Sequence, residues 1–281
     1  MSRYRIRSVA LVFLLLAICS AWSLAQKQTV TFGKLKNLEF IDQFYNGGTG
    51  SQGSGPGPNF GLTFTTNAQA IISASQGGSG NFINNPGKFP VMFFQTGSAV
   101  TMTAASGLQN AILLYYSALK NGNITVYAGP NATGNILASV NLPANNVGCN
   151  TYKLCVWSPV GVPLSAPAGS VSFQGVADNL AIGTIHLGVP LPTSMVLTSS
   201  QNPSGLGESV TFTAAVTATG AVAAGNVTFK AGTQVVGTVP LSGGVATITL
   251  SSLKTGSTRI TAKFQGTGFN GVTRGLVQVV N

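Results

Sequence analysis

The most regular pattern in the chain is an alternation of apolar and polar residues that runs from about residue 194 to the end. Apolar residues with a period of two indicate β-strands that have one buried face. Turn-forming sequences such as Asn202-Pro203-Ser204-Gly205 and Ser242-Gly243-Gly244 separate these segments. The pattern therefore predicts a two-sheet β-sandwich over 194–281. The residues predicted to face its core are Val210, Phe212, Ala214, Val216, Val227, Phe229, Ala246, Ile248, Leu250, Ile260, Ala262 and Phe264.

Residues 28–188 also consist of short apolar segments separated by turns, but with a less regular pattern. The region opens with Leu38-Glu39-Phe40 and closes with a strand over 180–188, and we expect the first and last segments to pair. About eight to ten strands in this arrangement predict a jelly-roll-like β-sandwich. The fold class is thus all-β, a jelly-roll-like sandwich followed by a seven-stranded immunoglobulin-like sandwich. The other predicted strands include 91–95, 99–104, 111–117, 124–128, 135–141 and 152–156.

Closely spaced prolines mark a boundary between the two regions. Residues 189–193 contain Pro190 and Pro192, and prolines stiffen a linker and interrupt strand pairing. We therefore predict a linker over 189–193, with a domain on each side.

The first 25 residues resemble a secretory signal peptide. Arg3, Arg5 and Arg7 precede a short apolar run, and Ser23-Leu24-Ala25 fits a cleavage site. The alternative is an uncleaved anchor, but the run is shorter than the roughly 20 residues that a membrane-spanning helix needs. We expect a secreted or cell-surface protein without a transmembrane helix in the mature chain.

Removal of the signal peptide would leave two cysteines in the exported protein. Cys149 and Cys155 form an even pair separated by five residues. In an oxidising compartment such a pair predicts a disulfide that closes a small loop.

Charged residues make up only 6% of the chain, which favours strands and glycine-rich turns over exposed helices. Eleven basic and four acidic residues follow residue 25, a net charge of +7. The basic residues are scattered along the sequence, so we predict diffuse surface charge and no nucleic-acid binding.

The C-terminal region resembles the bacterial immunoglobulin-like repeats of group 3. The resemblance rests on residues 192–203, Gly207-Glu208-Ser209-Val210-Thr211-Phe212-Thr213-Ala214, Gly225-Asn226-Val227-Thr228-Phe229 and Leu253-Lys254-Thr255-Gly256, followed by Ile260-Thr261-Ala262. It implies an immunoglobulin-like fold for nearly all of 192–281, in agreement with the strand count.

The N-terminal region is similar to exported domains of bacterial proteins that carry a PEP-CTERM sorting tail. The similarity rests on Phe44-Tyr45-Asn46-Gly47-Gly48-Thr49-Gly50 and on the closing strand. The sequence given contains no sorting tail.

The chain lacks the residue sets of familiar catalytic sites. His186 is the only histidine, and no serine has glycine both two residues before and two after it. Gly48-Thr49-Gly50-Ser51-Gln52-Gly53 matches a dinucleotide-binding fingerprint, but the glycines and prolines that follow would not form the required helix. We predict no enzymatic activity, a structural or surface His186 and a mobile or tightly turned glycine loop.

Calcium is the one metal that the acidic residues suggest. Glu39, Asp42 or Asp178, together with backbone carbonyls, would offer the oxygen ligands that calcium prefers. Solvated surface carboxylates are the alternative, and no other cofactor is expected.

Aromatic residues offer a candidate ligand surface, because the apolar faces of sugars pack on aromatic rings. The candidates are Trp157, Tyr115, Tyr127 and Tyr45, and we expect Trp157, beside the disulfide loop, to be exposed. Packing in the core is the alternative for most of them.

The sequence thus predicts an exported binding or adhesion protein. Its N-terminal sandwich would bind a glycan or another surface ligand, and its immunoglobulin-like domain would act as a spacer. Expected partners are extracellular polysaccharides or surface proteins, and the many edge strands also allow self-association. A purely structural matrix or envelope component is the alternative.

Overall fold

The computed structural model describes residues 27–88 and 90–281, so the predicted signal peptide, residues 1–25, lies outside the described residues. The described part contains nineteen strands and one short 3₁₀ helix (Ala74–Gln76), and no helix in it is long and apolar enough to cross a membrane. This confirms the all-β fold class. The strands are β1 (Gln28–Val30), β2 (Glu39–Phe40), β3 (Leu62–Phe64), β4 (Gln69–Ile71), β5 (Val91–Phe93), β6 (Ala99–Leu108), β7 (Ala111–Ala118), β8 (Gly122–Tyr127), β9 (Ile136–Leu142), β10 (Ser158–Pro163), β11 (Ala168–Gln174), β12 (Leu180–Leu187), β13 (Thr193–Ser199), β14 (Val210–Ala218), β15 (Asn226–Ala231), β16 (Gln234–Pro240), β17 (Val245–Leu250), β18 (Gly256–Gln265) and β19 (Val272–Val280).

Strands β1 to β12 form two antiparallel sheets that pack face to face as the N-terminal sandwich. The seven-stranded sheet has the order β10-β7-β12-β5-β4-β2, and β1 also pairs with β12. The five-stranded sheet has the order β3-β6-β11-β8-β9. Large apolar side chains fill the space between the sheets. Those that are almost fully buried there include Phe32, Phe44, Phe94, Phe173, Met92 and Met102.

The seven-stranded sheet is buried on both faces in its centre. All three residues of β5 are buried, as are seven of the eight residues of β12. A strand buried on both faces is apolar along its whole length rather than alternating. Other segments of the chain therefore cover the outer face of this sheet.

The strands of the N-terminal sandwich differ from the prediction between residues 152 and 163. Residues 152–156, predicted as a strand, belong to a loop, and the strand β10 follows them instead. Pro159 and Pro163 lie in β10 and indicate a break in strand pairing when only the sequence is considered. They are tolerated because β10 is an edge strand, where one side makes no ladder hydrogen bonds.

Strands β13 to β19 form the C-terminal sandwich, with the seven strands predicted. The three-stranded sheet has the order β13-β14-β17 and the four-stranded sheet the order β16-β15-β18-β19. The predicted inward faces of β14, β15 and β18 are buried, including Phe212, Phe229 and Phe264 at 0% exposure. The alternation of apolar and polar residues therefore identified the core of this sandwich.

The segment between the sandwiches is packed against both of them. Leu191, within the predicted linker 189–193, is fully buried, and its backbone N–H donates to the carbonyl of Gly268 (2.8 Å). The N–H of Gly161 in β10 donates to the carbonyl of Gly220 in the C-terminal sandwich (2.8 Å). A Cβ atom on Gly220 would lie only 2.6 Å from the backbone nitrogen of Gly161, so the two segments meet backbone to backbone. Prolines and direct contacts together hold this segment in place.

Candidate functional site

Two segments cover the outer face of the seven-stranded sheet, residues 72–88 and 143–157. We call them the covering layer. Backbone hydrogen bonds join the two segments, from Leu154 N–H to the Asn81 carbonyl (3.1 Å) and from Ile83 N–H to the Leu154 carbonyl (3.0 Å). Phe82 and Leu154 pack beneath the layer against Val91 and Ala181 of the sheet. The covering layer thus has its own small apolar core.

Asn146 organises the second segment of the covering layer. Its side-chain oxygen accepts hydrogen bonds from the backbone N–H groups of Cys155 (2.7 Å) and Val156 (3.0 Å). Its amide nitrogen donates to Ser117 Oγ (3.0 Å) and to the carbonyl of Ala118 (3.2 Å), both on β7. One polar side chain therefore fastens the loop to the sheet.

The structure contains the predicted Cys149–Cys155 disulfide, with the two Cα atoms 5.7 Å apart. The bridge closes the loop that carries Lys153 and Leu154, directly after the Asn146 contacts. It therefore restrains the same part of the covering layer that Asn146 fastens to β7.

Trp157 is half-buried, in contrast to the exposed position predicted for it. Its indole N–H donates to the carbonyl of Ile83 (2.9 Å), and its ring meets that of Phe82 edge-on with centroids 6.0 Å apart. These contacts join the two covering segments. Trp157 thus has a structural role, because its indole N–H is hydrogen-bonded to a residue 74 positions away in the sequence.

A cleft of about 370 Å³ lies between the covering layer and the strand ends. Apolar side chains of the sheet form its floor, among them Ile71, Phe93 and Ala181. Its rim carries the polar residues Ser79, Asn81, Gln95, Lys153 and Asp178, all of which are exposed. Its volume falls within the range of about 300–1,000 Å³ for ligand pockets, and such pockets combine an apolar lining with a few polar groups. Sequence reasoning missed this cleft, although the unbroken apolar run of β5 indicated a covered outer face.

Tyr45 lies in the core of the N-terminal sandwich and is only 1% exposed. Its ring packs against Phe44 and Phe64, with centroids 5.1 Å and 5.7 Å away, and its hydroxyl donates to the carbonyl of Thr31 (2.6 Å). The prediction of Tyr45 as a ligand-binding residue is therefore wrong, because no face of the ring is open to a ligand.

The other two tyrosine candidates lie on different sheets. Tyr115 is half-buried on β7 of the seven-stranded sheet, and Tyr127 is half-buried on β8 of the five-stranded sheet. The predicted aromatic residues therefore do not form one common stacking face.

Glu39 is fully buried and holds the glycine-rich loop in place. Its Oε1 accepts from the N–H groups of Gln52 (2.9 Å) and Ser54 (3.0 Å), and its Oε2 accepts from Ser54 Oγ (2.5 Å) and Lys36 N–H (2.7 Å). Burial by itself raises the pKa of Glu39, but these hydrogen bonds outweigh it and hold the pKa below the usual 4.5. The loop is thus tightly turned around an ionised carboxylate.

The predicted calcium ligands do not come together. Protein donors engage both oxygens of Glu39, and Asp178 lies at the rim of the cleft. Across residues 27–88 and 90–281, no three His, Cys, Asp or Glu side chains form a cluster that could hold a metal ion. The structure gives Glu39, Asp42 and Asp178 separate surroundings.

His186 is half-exposed on β12, where its Nδ1 lies 3.2 Å from Thr29 Oγ1 of β1. The imidazole of His186 is thus hydrogen-bonded to a hydroxyl of the neighbouring strand.

We expect removal of the disulfide to weaken the covering layer. Replacing both Cys149 and Cys155 with alanine should lower the free energy of unfolding by about 2 kcal/mol, since the bridge closes a short loop. Hydrogen exchange of the Leu154 amide should speed up, whereas exchange in β18 should not change. Equal effects on both amides would contradict a local role for the bridge.

Comparison with solved structures finds distant similarities to β-rich carbohydrate-active proteins. The glycoside hydrolase domain of Endo-D from Streptococcus pneumoniae R6 is 10% identical, with 89% of this chain and 43% of that chain aligned and a TM-score of 0.31. The carbohydrate-binding module CBM6cm-2 of Cellvibrio mixtus lichenase 5A is 14% identical, with 43% and 86% aligned and a TM-score of 0.27. This chain spans less than half the length of the Endo-D domain. Similarities this low carry no information about a ligand.

No curated protein matches the chain. A family model does match its C-terminal part, over residues 197–281. That range covers β14 to β19 and part of β13, in agreement with the seven-strand sandwich and with the motifs in the sequence. The C-terminal sandwich is therefore a bacterial Ig-like domain of group 3.

Proposed function

We propose that this protein is an exported, non-enzymatic binding protein whose N-terminal sandwich binds a glycan in the cleft beside the covering layer. The observation that carries the proposal is the apolar floor of the cleft with a polar rim around it. A sugar ring has an apolar face and a polar edge, so both parts of the cleft would have a partner. The immunoglobulin-like domain would hold this site away from the surface to which the protein is attached.

The polar rim favours a sugar over a purely apolar ligand. Gln95 and Asn81 offer amide groups, and Lys153 and Asp178 add one positive and one negative charge. Hydroxyl groups of a sugar both donate and accept hydrogen bonds, so they suit this mixed rim. A fully apolar ligand could form no hydrogen bonds with these groups.

The proposal is tested by measuring saturable binding of the exported protein to a panel of neutral polysaccharides. The variant Gln95→Ala/Lys153→Ala removes two exposed rim side chains and keeps the hydrogen bond from the Lys153 backbone N–H to Asn81 Oδ1. We expect its affinity to fall roughly tenfold or more. Calorimetry or gel-retardation assays would give the dissociation constants.

The matched control is Gln234→Ala/Lys254→Ala, which removes the same residue types from exposed positions of the C-terminal sandwich. It should bind as the unchanged protein does. Failure of every polysaccharide to bind, or equal losses in the two double variants, would overturn the proposal.

A further inference from the structure

The C-terminal sandwich is the more strongly basic part of the molecule. Beyond residue 192 there are five basic residues and one acid, a net charge of +4. The acid, Glu208, accepts hydrogen bonds from Gly205 N–H (2.6 Å) and Gln201 Nε2 (3.0 Å). The basic residues of this sandwich are scattered in the sequence, but the fold brings some of them together.

Three of the five basic residues lie on one face of the four-stranded sheet. Phe229 and Ala262 face the core opposite one another, so their neighbours Lys230 and Lys263 point outward together with Arg259. All three basic side chains are exposed. We call this surface the basic face.

Hydroxyl groups alternate with the charges on the basic face. Lys230 of β15 lies opposite Thr261 of β18, and Thr228 lies opposite Lys263. Diagonal neighbours in an antiparallel pair are about 7–8 Å apart. The two lysines are therefore close enough to act on one polymer chain, with a threonine hydroxyl beside each of them.

Gly275 makes room for the third charge. It lies opposite Thr261 on β19, and a Cβ atom there would come within 3.2 Å of Arg259 Nη2. Because glycine has no side chain, the guanidinium of Arg259 lies over the strand next to the lysine–threonine pattern. Arg259 thus places its charge over the edge strand β19, on the same face as the two lysines.

We propose that the basic face binds an acidic polysaccharide, a polymer whose sugar units carry carboxylates and hydroxyls. The cations would pair with the carboxylates, and Thr228 and Thr261 would exchange hydrogen bonds with the sugar hydroxyls. Duplex DNA is a poorer match, because affinity for DNA comes largely from the number of phosphates that Lys and Arg neutralise, and this face offers three cations. This site is independent of the cleft and makes the immunoglobulin-like domain a binding surface as well as a spacer.

The test measures binding of the exported full chain to polygalacturonate, to neutral dextran and to duplex DNA at low and high salt. We expect binding to polygalacturonate that weakens as salt rises from about 0.05 M to about 0.5 M, since screening shortens the range of charge attraction. The variant Lys230→Gln/Lys263→Gln should lower this affinity about tenfold or more. Circular dichroism would verify that the variant keeps its fold.

The matched control, Lys34→Gln/Lys120→Gln, removes two exposed charges from the N-terminal sandwich. It should bind polygalacturonate as the unchanged protein does. An equal loss in both double variants would show attraction to net charge alone and would overturn the proposal, as would binding to DNA that is as tight as binding to polygalacturonate. The cleft variant Gln95→Ala/Lys153→Ala should retain at least the affinity of the lysine control, so the two proposals can fail separately.

Discussion

Replacing Glu39 with glutamine is expected to destabilise the N-terminal sandwich by about 3 kcal/mol, since hydrogen bonds to a charged group contribute more than neutral ones. The carboxylate accepts four hydrogen bonds from Lys36, Gln52 and Ser54. An amide of the same shape would turn its NH₂ group toward one pair of these donors. Chemical denaturation, followed by the fluorescence of Trp157, would measure the loss.

The same carboxylate makes stability depend on pH. The pKa of Glu39 in the folded protein lies below the usual 4.5, so the unfolded chain takes up a proton first as the pH falls. The contribution of Glu39 is therefore complete above about pH 4.5 and is lost as the pH drops through the folded-state pKa. The Glu39→Gln variant should lose less stability over this acid range than the unchanged protein.

Glu208 provides the control, because it is exposed. Glu208→Gln should change the free energy of unfolding by less than about 1 kcal/mol. A similar loss from both substitutions would contradict the role assigned to buried Glu39.

Replacing Leu191 with alanine is expected to cost about 3 kcal/mol, a value typical of a buried leucine whose removal leaves a cavity. Leu191 is 0% exposed and belongs to the core cluster that contains Phe269 and residues from both sandwiches. A side chain in a free linker would have almost no such effect. Calorimetry would measure the shift of the unfolding temperature.

Val196 is a suitable control because it lies nearby on β13 and is 63% exposed. Val196→Ala should alter stability by no more than about 0.5 kcal/mol. If Leu191→Ala is equally mild, the packing described for residues 189–193 does not contribute to stability.

The C-terminal sandwich followed from its sequence because each strand has one face in the core and one in water. Val210, Phe212 and Ala214 alternate with threonine and serve one core, so local periodicity contains the needed information. In the seven-stranded sheet the second face is covered as well. The alternation of apolar and polar residues is therefore absent from the central strands of that sheet. Strand β10 is hard to predict for another reason, because its two prolines are compatible with a strand only at the edge of a sheet.

The site depended on contacts between distant parts of the chain. Trp157 is held by Ile83, and Glu39 is held by the loop that reaches Ser54, so neither local sequence indicates the role of the residue. The sequence does not show whether an aromatic residue such as Tyr45 faces a ligand or the core, and only its contacts with Phe44 and Phe64 place it in the core. The cleft arises from two segments more than 50 residues apart, and no short motif encodes it.

The backbone contacts between Gly161 and Gly220 also determine how the molecule would carry mechanical load. Strand β12 runs from the cleft, at Ala181, to the junction, at Leu187, and β13 starts six residues later, at Thr193. Because β12 is hydrogen-bonded on both sides, to β7 and to β5 and β1, tension along it is shared among several strands as shear. A pull on a ligand in the cleft would thus reach the immunoglobulin-like domain without first opening a hinge.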